Sequence, residues 1–360
     1  MQDNTNYVVA PDIERARSLP GAFYLDPAVW AAQRKHLFAE SWHVLLEDVG
    51  AGEVVPTNLL PGALDEPLLL LNDEGVTRCF SNVCTHRGAI LVEQRKLLPP
   101  SGNLRCRYHG RRFDRAGACL GAPGFGDRCP VQGDDLPELP LAKLGPRCFV
   151  SLSPHQPWES FVEPLLTRTD WLPWEKLEKL PERERRYRFD ASWMLYVDNY
   201  LEGLHIPFVH PGLSKQVDLP SYETVLLGHG SSLQIAEAAE GEPALEPPEG
   251  HPHHGRRIAA YYFFLFPTTM MNLYPWGLSL NVVRPHGIAD TEVVFESWCW
   301  DETLLDRGAG AALDEVELED EAIVLSVQRG IGAHSYHRSR YADAERGVHH
   351  FHRALCADEE

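Results

Sequence analysis

The segment "NVCTHRGAILVEQRKLLPPSGNLRCRYHG", residues 82–110, pairs a cysteine with a histidine twice. Cys84 stands two residues before His86, and Cys106 stands three residues before His109. Thiolates and imidazoles are metal ligands, so two of each in one short stretch predict a metal site. The set suits a structural zinc ion, and it also suits a [2Fe–2S] centre in which two histidines bind one of the irons.

Two features of these loops favour the iron–sulfur centre over zinc. Each loop contributes one cysteine and one histidine, whereas zinc sites usually place their cysteines in CxxC pairs. A glycine follows each pair closely, Gly88 after His86 and Gly110 after His109, as a tight loop around sulfide requires. We therefore predict that both loops hold one [2Fe–2S] cluster.

The sequence around these loops predicts a small all-β domain. Residues 43–153 contain short β-like runs separated by turn residues, such as "EVVPTNLL" and "RCFVSL". Before them, "DPAVWAAQRKHLFAESW" has apolar residues at helical spacing, with Asp26 as a cap and Pro27 in the first turn. We expect an N-terminal helix region over 1–42 that packs on a larger domain, followed by the all-β domain.

The motifs "CTHRGA" and "CRYHG" resemble the two ligand loops of a Rieske [2Fe–2S] domain. Respiratory Rieske domains carry an additional cysteine in each loop, and this chain has other residues there, so it resembles the oxygenase and ferredoxin branch. The resemblance implies Cys84, His86, Cys106 and His109 as the cluster ligands. A Rieske electron carrier needs only this domain, whereas the chain has 360 residues.

A second candidate site lies in "DNYLEGLHIPFVH". Asp198, Glu202 and His205 fall at i, i+4 and i+7, on one face of a predicted helix. His205 and His210 could share a metal only if Pro207 distorts that helix. Two histidines and one carboxylate form the facial set that binds non-haem Fe(II) and leaves positions open for dioxygen.

This stretch is similar to the mononuclear-iron helix of the Rieske non-haem iron oxygenases, the ring-hydroxylating oxygenase α-subunit family. The resemblance extends from "AESWHVL" to the tail "SRYADAERGVHHFHRAL". It implies His205 and His210 as iron ligands and Glu202 as the carboxylate that links this iron to the Rieske histidine of a neighbouring protomer. Asp198 is the other candidate catalytic residue. Glutamate at the position of Glu202 is typical of family members that act on quaternary ammonium compounds.

The third iron ligand is expected in "LEDEAIVLSVQRG". The resemblance places an acidic residue some way before "QRG", which favours Asp320. Its neighbours Glu319 and Glu321 are alternatives, and any acid on such a helix face could simply be solvated.

The resemblance and the residue patterns together predict an α+β fold. The catalytic domain, residues 154–360, should hold an antiparallel sheet wrapped around a long helix, a START-like or helix-grip arrangement. "RIAAYYFFLFPTTMMNLYPWGLSLNVVRPHGIADTEVVFESWCW" predicts three or four long strands, and "LDEVELEDEAIVLSVQRGI" predicts a helix. "GEPALEPPEGHPHHG" is rich in proline and glycine, so we expect a mobile surface insertion with exposed histidines.

Composition limits the partners and the compartment. The net charge of −19 disfavours nucleic acid and anionic membranes as partners. The longest apolar runs are far shorter than the ~20 residues of a membrane span, and the N-terminus has no signal-like segment. The six cysteines outside the ligand loops are scattered singly, so we expect reduced thiols in a cytoplasmic protein.

The expected function is that of a terminal oxygenase. It would use O₂ and electrons from the Rieske cluster to monooxygenate or oxidatively demethylate a small organic substrate, a quaternary ammonium or aromatic compound. Alternatives are cis-dihydroxylation of an aromatic ring, a Rieske electron carrier, and a zinc-stabilised binding protein. The chain has no dinucleotide motif, so the resemblance implies a separate NAD(P)H-dependent reductase, with or without a ferredoxin. The bridge between protomers implies a homotrimer.

Arginines cluster around the second ligand loop, in "RCRYHGRRFDR". We expect this basic patch to attract an acidic electron donor, although the arginines could instead pair with carboxylates of an adjoining protomer. The patch consists of Arg105, Arg107, Arg111, Arg112 and Arg115.

Overall fold

The computed structural model describes residues 7–99 and 101–356, which form two compact units. One unit is Arg34–His155, and the described residues on either side of it form the other. The first unit begins at Arg34, before the limit at 43 expected from the sequence. The domain limits 1–42, 43–153 and 154–360 stay predictions.

The unit Arg34–His155 consists of short antiparallel strands in three sheets. Its strands are β1 (His43–Leu45), β2 (Glu53–Leu59), β3 (Glu66–Asp73), β4 (Val76–Ser81), β5 (Lys96–Leu97), β6 (Leu104–Arg105), β7 (Arg112–Phe113), β8 (Cys119–Gly121), β9 (Glu138–Leu139), β10 (Leu141–Leu144) and β11 (Arg147–Val150). The sheet orders are β5-β2-β3-β4-β9, β1-β11-β10 and β6-β7-β8.

The core of this unit places the two Cys/His loops side by side. The central strand β3 carries the run Leu68–Leu71, which is buried on both faces of the sheet. One ligand loop follows β4, and the other connects β6 to β7. Both ligand cysteines belong to one hydrophobic cluster with Phe80 and Phe113. Packing of the core therefore brings the loops together, although many residues separate them in the sequence.

The other unit combines helices with one eight-stranded antiparallel sheet. The helices are α1 (Pro27–Ala32), α2 (Trp158–Thr169), α3 (Trp193–Tyr200), α4 (Ile206–Val209), α5 (Leu313–Ile331) and α6 (Arg346–Leu355). The strands are β12 (Glu178–Lys179), β13 (Arg185–Phe189), β14 (Val217–Leu226), β15 (Ser232–Ala238), β16 (Ile258–Leu265), β17 (Thr269–Tyr274), β18 (Gly277–Gly287) and β19 (Asp290–Cys299). They are ordered β12-β19-β18-β17-β16-β15-β14, and β13 also pairs with β19.

Strands β16 to β19 and helix α5 confirm the patterns found in the sequence. The strands are almost entirely buried. Their sequences are therefore long apolar runs and do not alternate between apolar and polar residues. Register shifts in β14, β15 and β18 bend the sheet, and helix α3 lies against both β18 and α5. The predicted α+β class, with a curled antiparallel sheet packed on helices, is confirmed.

The first helix begins as the sequence predicts. Asp26 accepts a hydrogen bond from the backbone N–H of Ala28 at 2.8 Å, and Pro27 occupies the first turn. The α-helix then gives way to a π-helical turn, Gln33–Phe38, that the sequence did not reveal. Among the helices within residues 7–99 and 101–356, none is long and apolar enough to cross a membrane.

The predicted continuous helix through His205 is wrong. Helix α3 ends at Tyr200, a turn follows, and the short α4 begins at Ile206. Gly203 and Pro207 disfavour an uninterrupted helix here, and Pro207 lies in the first turn of α4. Asp198 and Glu202 therefore do not share one helical face.

The predicted mobile insertion at 241–255 is instead anchored to the unit. Leu245 is buried and forms a bridge with Ile258. The ring of His251 bonds the carbonyl oxygen of Arg168 at 3.0 Å. The ring of His253 lies 2.9 Å from the hydroxyl of Tyr261, and burial lowers the pKa of His253 to about 4. His251 and His253 are therefore packing residues, whereas His254 is exposed, as predicted.

Candidate functional site

The break after α3 brings His205, His210 and Asp320 together. His205 immediately precedes α4, His210 follows it, and Asp320 extends from α5. One ligand atom from each residue lies within 4.8 Å of the others. Nε2 of His210 is 2.9 Å from Oδ1 of Asp320, and Nε2 of His205 is 3.7 Å from the same oxygen. The ring centroids of the two histidines are 5.1 Å apart.

Each histidine is held from its far side by a different carboxylate. Nδ1 of His205 lies 2.6 Å from Oε1 of Glu202, and Nδ1 of His210 lies 2.6 Å from Oε2 of Glu319. An Nδ1–H that donates to a carboxylate leaves Nε2 as the lone-pair donor toward the centre of the group. This is the usual arrangement of outer carboxylates around metal-binding histidines.

The donor set fits a divalent iron ion. Two imidazole nitrogens and one carboxylate converge, as in the facial sites of non-haem iron proteins. Of the three acids considered from the sequence, Asp320 faces both Nε2 atoms, whereas Glu319 contacts the outer side of His210. This geometry favours Asp320 over Glu319 and Glu321 as the third ligand, an assignment that stays a prediction.

Asp198 lies in a separate buried network and not in the His205–His210–Asp320 group. Its Oδ2 accepts a hydrogen bond from the Tyr24 hydroxyl at 2.7 Å, and its Oδ1 lies 2.8 Å from Nε2 of His352. The Tyr341 hydroxyl is 2.6 Å from Nδ1 of the same histidine. These contacts connect the N-terminal segment, α3 and α6, so Asp198 holds these three segments together. The prediction that it is catalytic gains no support from them.

In the unit Arg34–His155, the two Cys/His loops have the same hydrogen-bond frame. The backbone N–H of Gly88 donates to the carbonyl of Cys84 at 3.0 Å, and that of Gly110 donates to the carbonyl of Cys106 at 2.9 Å. Both glycines have positive φ, +69° and +75°, a conformation that other residues adopt at a cost. The two loops are therefore local copies of one another, facing each other across the core.

The four donors of these loops fit a [2Fe–2S] cluster. Both cysteines are only 2% exposed, and the rings of His86 and His109 have centroids 4.8 Å apart. Nδ1 of His86 is buried and has no hydrogen-bond partner within residues 7–99 and 101–356, which suits a nitrogen that binds a metal. The ring of His109, by contrast, is exposed.

The structure removes one residue from the predicted basic patch. Arg111 is 3% exposed, and its guanidinium donates to Asp134 at 2.8 Å and to the Thr85 hydroxyl at 3.0 Å. It therefore ties the two ligand loops to each other and is not available to a docking protein. Arg105, Arg107 and Arg112 are exposed, but Arg107 pairs with Glu93, and the largely buried Arg115 pairs with Asp73 at 2.7 Å. Arg105 and Arg112 therefore fit the original hypothesis best.

Two cysteines that the sequence showed as isolated are neighbours in the same unit. The sulfurs of Cys119 and Cys129 are 3.6 Å apart in the core. With Asp134 they form a second group of potential metal ligands. Asp134 is already bonded to Arg111 and to the backbone N–H of Val131, so its carboxylate is engaged.

A cavity adjoins the His205–His210–Asp320 group. Its volume is about 90 Å³, and it extends between the sheet and α5. Its walls include five tyrosines, a buried glutamate and several amides, but no lysine or arginine within the described chain. The tyrosines are Tyr196, Tyr200, Tyr222, Tyr262 and Tyr274.

The hydroxyls of the lining tyrosines are held within the wall. Tyr200 donates to Asn272 at 2.7 Å, and Tyr222 donates to Gln234 at 3.2 Å. The sequence signal for this wall is weak, because aromatic residues on strands, such as those of β16 and β17, more often form a core than a ligand-binding box. Two contributors were missed: Tyr222, which lies on the polar strand β14, and Asn199, which donates to Asp320 at 2.6 Å.

Comparisons with known proteins match both parts of the chain to known families. A family model described as the ring hydroxylating alpha subunit (catalytic domain) matches residues 177–357, and one described as the Rieske [2Fe-2S] domain matches residues 46–139. Choline monooxygenase of Arabidopsis thaliana is 29% identical over 94% of this chain and 82% of its own length. The carnitine monooxygenase oxygenase subunit of Escherichia coli K12 is 26% identical over 95% of this chain and 94% of its own length.

Solved structures show the same fold. A quaternary ammonium Rieske monooxygenase matches with a TM-score of 0.74 and 20% identity, covering 97% of this chain and 99% of its own. Naphthalene 1,2-dioxygenase from Rhodococcus sp. matches with a TM-score of 0.71 and 20% identity, covering 95% of each chain. The family models, the relatives and the fold lead to one conclusion. The chain belongs to the ring-hydroxylating oxygenase α-subunit family and is a Rieske oxygenase, with a Rieske [2Fe–2S] domain and a mononuclear-iron catalytic domain.

Proposed function

We propose that this oxygenase monooxygenates a small quaternary ammonium compound, with loss of an N-alkyl group where the attacked carbon is bound to nitrogen. The observation that carries the proposal is the cavity beside His205, His210 and Asp320. It combines tyrosine rings with acidic residues, and its described lining contains no lysine or arginine. The named relatives that act on choline and carnitine support the same substrate class.

The tyrosine wall suits a permanently charged ammonium group. Such a cation cannot donate hydrogen bonds, so aromatic rings and nearby carboxylates are the groups that stabilise it. Tyr262 and Tyr274 lie on adjacent strands, with ring centroids 5.9 Å apart and planes at 83°. Burial raises the pKa of both phenols, so they stay neutral and present aromatic faces, not phenolate charge. A lysine or arginine in this wall would repel the ligand.

The residues of the site have distinct roles in the proposal. When bound, the Rieske cluster supplies single electrons to the mononuclear Fe(II), which activates O₂ next to the substrate. His205, His210 and Asp320 would hold the iron, while Glu202 and Glu319 fix the ring orientation of the two histidines. The buried lining of the cavity excludes bulk water, which limits side reactions.

The proposal can be tested by single turnover of the chemically reduced protein. The protein is purified anaerobically, its iron and acid-labile sulfide are counted, and the dithionite-reduced form is mixed with ¹⁸O₂ and a trimethylammonium compound. We expect one ¹⁸O atom in the products, including the aldehyde released from a lost N-alkyl group. Loaded protein that oxidises no trimethylammonium compound would contradict the proposal.

Dihydroxylation of an aromatic ring is the second candidate function, favoured by the structural similarity to naphthalene 1,2-dioxygenase. The same experiment with a bicyclic aromatic hydrocarbon separates the two. A cis-diol containing two ¹⁸O atoms would establish the dioxygenase, whereas the quaternary ammonium proposal predicts no diol.

We also propose a homotrimer in the cytoplasm, supplied with electrons by a separate reductase or by a reductase and a ferredoxin. The family supports the need for an electron-transfer partner. The trimer would bring the cluster of one protomer to the iron of the next. Light scattering of the purified protein tests the trimer, since a monomer in solution would contradict it.

We expect the exposed arginines near the second ligand loop to guide this electron donor. Replacing Arg105 and Arg112 with glutamate should slow reduction of the cluster by a reductase or ferredoxin about tenfold at low salt, because charge steering accelerates association. Reduction by dithionite should keep its rate. Stopped-flow absorbance of the cluster measures both reactions.

A matched control changes the same amount of charge elsewhere in this unit. Lys96 and Lys143 are exposed and lie on β5 and β10. Their double replacement with glutamate should have little effect on either reaction. Equal slowing by both double variants would attribute the effect to net charge and not to a docking patch.

A further inference from the structure

Glu317 is a buried acid that the reaction described above leaves without a role. It lies on α5 and is only 4% exposed. Its Oε2 accepts a hydrogen bond from the Tyr196 hydroxyl at 2.8 Å. Its Oε1 is also buried and has no hydrogen-bond partner in the part of the chain that the structure describes. Buried carboxyl oxygens are normally paired, so this one requires an explanation.

The position of Glu317 at the cavity explains its unpaired oxygen. It stands three residues before Asp320, so both side chains project from the same face of α5, about 4.5 Å apart along the helix axis. Both residues line the cavity. Glu317 lies on the helix side of the cavity, whereas Tyr222, Tyr262 and Tyr274 come from the sheet. A ligand that fills the space between helix and sheet can therefore contact the tyrosines and Glu317 with different ends.

We propose that Glu317 is the specificity-determining residue that accepts a hydrogen bond from the polar end of the substrate. The ligand class that suits both walls of the cavity is a cationic amino alcohol. Its quaternary ammonium group would lie against the tyrosines, and its hydroxyl would donate a hydrogen bond to Oε1 of Glu317. This inference rests on the proposed quaternary ammonium function and specifies its substrate. It also predicts discrimination against zwitterions, because the described lining of the cavity has no lysine or arginine to balance a substrate carboxylate.

The charge state of Glu317 depends on whether a cation occupies the cavity. Burial raises the pKa of Glu317 well above its usual range, and the neighbouring charges of Asp320 and Glu321 act in the same direction, while the Tyr196 hydrogen bond opposes them. A positive ligand nearby favours the carboxylate form, whose Oε1 can only accept. A hydroxyl is therefore the matching group, and a second carboxylate is not.

A purely structural role for Glu317 predicts a different result. Tyr196 needs only one acceptor, and a glutamine at 317 could still provide it. If the glutamate served only to hold Tyr196, the order of preference among ligands would not depend on the charge at position 317.

Three trimethylammonium ligands of similar size separate these possibilities. They are the 2-hydroxyethyl compound, its n-propyl isostere, which lacks the hydroxyl, and the carboxymethyl compound, which carries a negative charge. Their affinities for the anaerobic, iron-loaded protein are measured by titration calorimetry. We expect the wild-type protein to bind the hydroxyethyl compound at least about tenfold more tightly than either of the others, since the n-propyl compound leaves Oε1 unpaired.

Two substitutions at 317 and one control complete the experiment. In Glu317→Leu, the affinities for the hydroxyethyl and n-propyl compounds should lie within about threefold of each other. Leucine has no oxygen that could accept the ligand hydroxyl or be left unpaired. Glu317→Gln should reduce the preference over the carboxymethyl compound at least about tenfold, because the negative charge is removed. Glu315→Gln, at an exposed position of the same helix, should preserve the wild-type order.

The outcomes distinguish this inference from the function on which it rests. Tight binding of all three ligands with no preference, or an undiminished preference over the carboxymethyl compound in Glu317→Gln, would overturn the role of Glu317 and leave the quaternary ammonium function standing. Failure of the loaded wild-type protein to bind any of the three would overturn both. The wild-type order alone is informative, so the inference stays testable even if a variant does not fold.

Discussion

Replacing Asp320 with alanine is expected to remove the mononuclear iron and lower turnover more than about 100-fold. Loss of an outer partner of a metal ligand already costs about 10- to 100-fold, and loss of a ligand should cost more. Iron should fall from about three to about two per chain, while acid-labile sulfide stays near two, because the Rieske cluster is held by other residues. Metal analysis and single-turnover product formation measure the two effects.

The neighbouring acids provide controls for the third-ligand assignment. Glu319→Gln should retain iron but bind it about 10- to 100-fold more weakly, because Glu319 orients His210 through Nδ1. Glu321→Gln should behave like the wild type. Iron retained in Asp320→Ala but lost in Glu321→Gln would move the third ligand to the latter position. The EPR signal of the reduced cluster shows in each case that the Rieske domain is intact.

Much of the fold could be predicted because its elements carry strong local patterns. Strands β16 to β19 are long apolar runs with Pro or Gly near their turns, and α5 has helical spacing along its whole length. The two cluster loops could be predicted equally well, because the spacing of cysteine and histidine indicates two ligands on each loop. In these segments, local preference and tertiary environment agree.

The sequence did not reveal where the iron-site helix ends. Apolar residues continue at helical spacing past Tyr200, so periodicity alone extends α3 to His205. The chain instead turns there, which places Glu202 beside His205 and leaves Asp198 in the Tyr24–His352 network. The prediction that Asp198 and Glu202 share one helical face was therefore wrong. Asp198 bonds residues far away in the sequence, and Glu202 bonds His205, which lies beyond the end of α3.

Buried charges were the other feature hidden from the sequence. Arg111 appeared to be one of five surface arginines, and Glu317 did not stand out among the several acids of α5. Each is more than nine-tenths buried, and each has its partner on a different element. Charge patterns along a chain indicate sign and density, but burial of one member depends on packing that local sequence does not encode.

Glu202→Gln is expected to separate electron transfer from iron binding. The amide oxygen of glutamine can still accept the Nδ1–H of His205, which Glu202 now holds at 2.6 Å, so iron should be retained. A neutral amide should be a much poorer bridge to the imidazole of a neighbouring Rieske cluster than a carboxylate is. With substrate and O₂ present, reoxidation of the reduced cluster should slow about 100-fold, as expected when a positioning contact is lost.

A further substitution distinguishes two roles of Glu202, the bridge to a neighbouring Rieske cluster and the hydrogen bond that supports His205. Glu202→Ala removes both functions, so it should lose iron as well as electron transfer, whereas Asp218→Asn, at an exposed position of β14, should change neither. Normal cluster reoxidation in Glu202→Gln would contradict the bridge and leave Glu202 as a partner of His205 alone. Slow reoxidation with full iron content would mean that the carboxylate acts beyond its own histidine. Because a support of His205 needs only an acceptor oxygen, while a bridge between two imidazoles needs two, the glutamine variant tests the second requirement without disturbing the first.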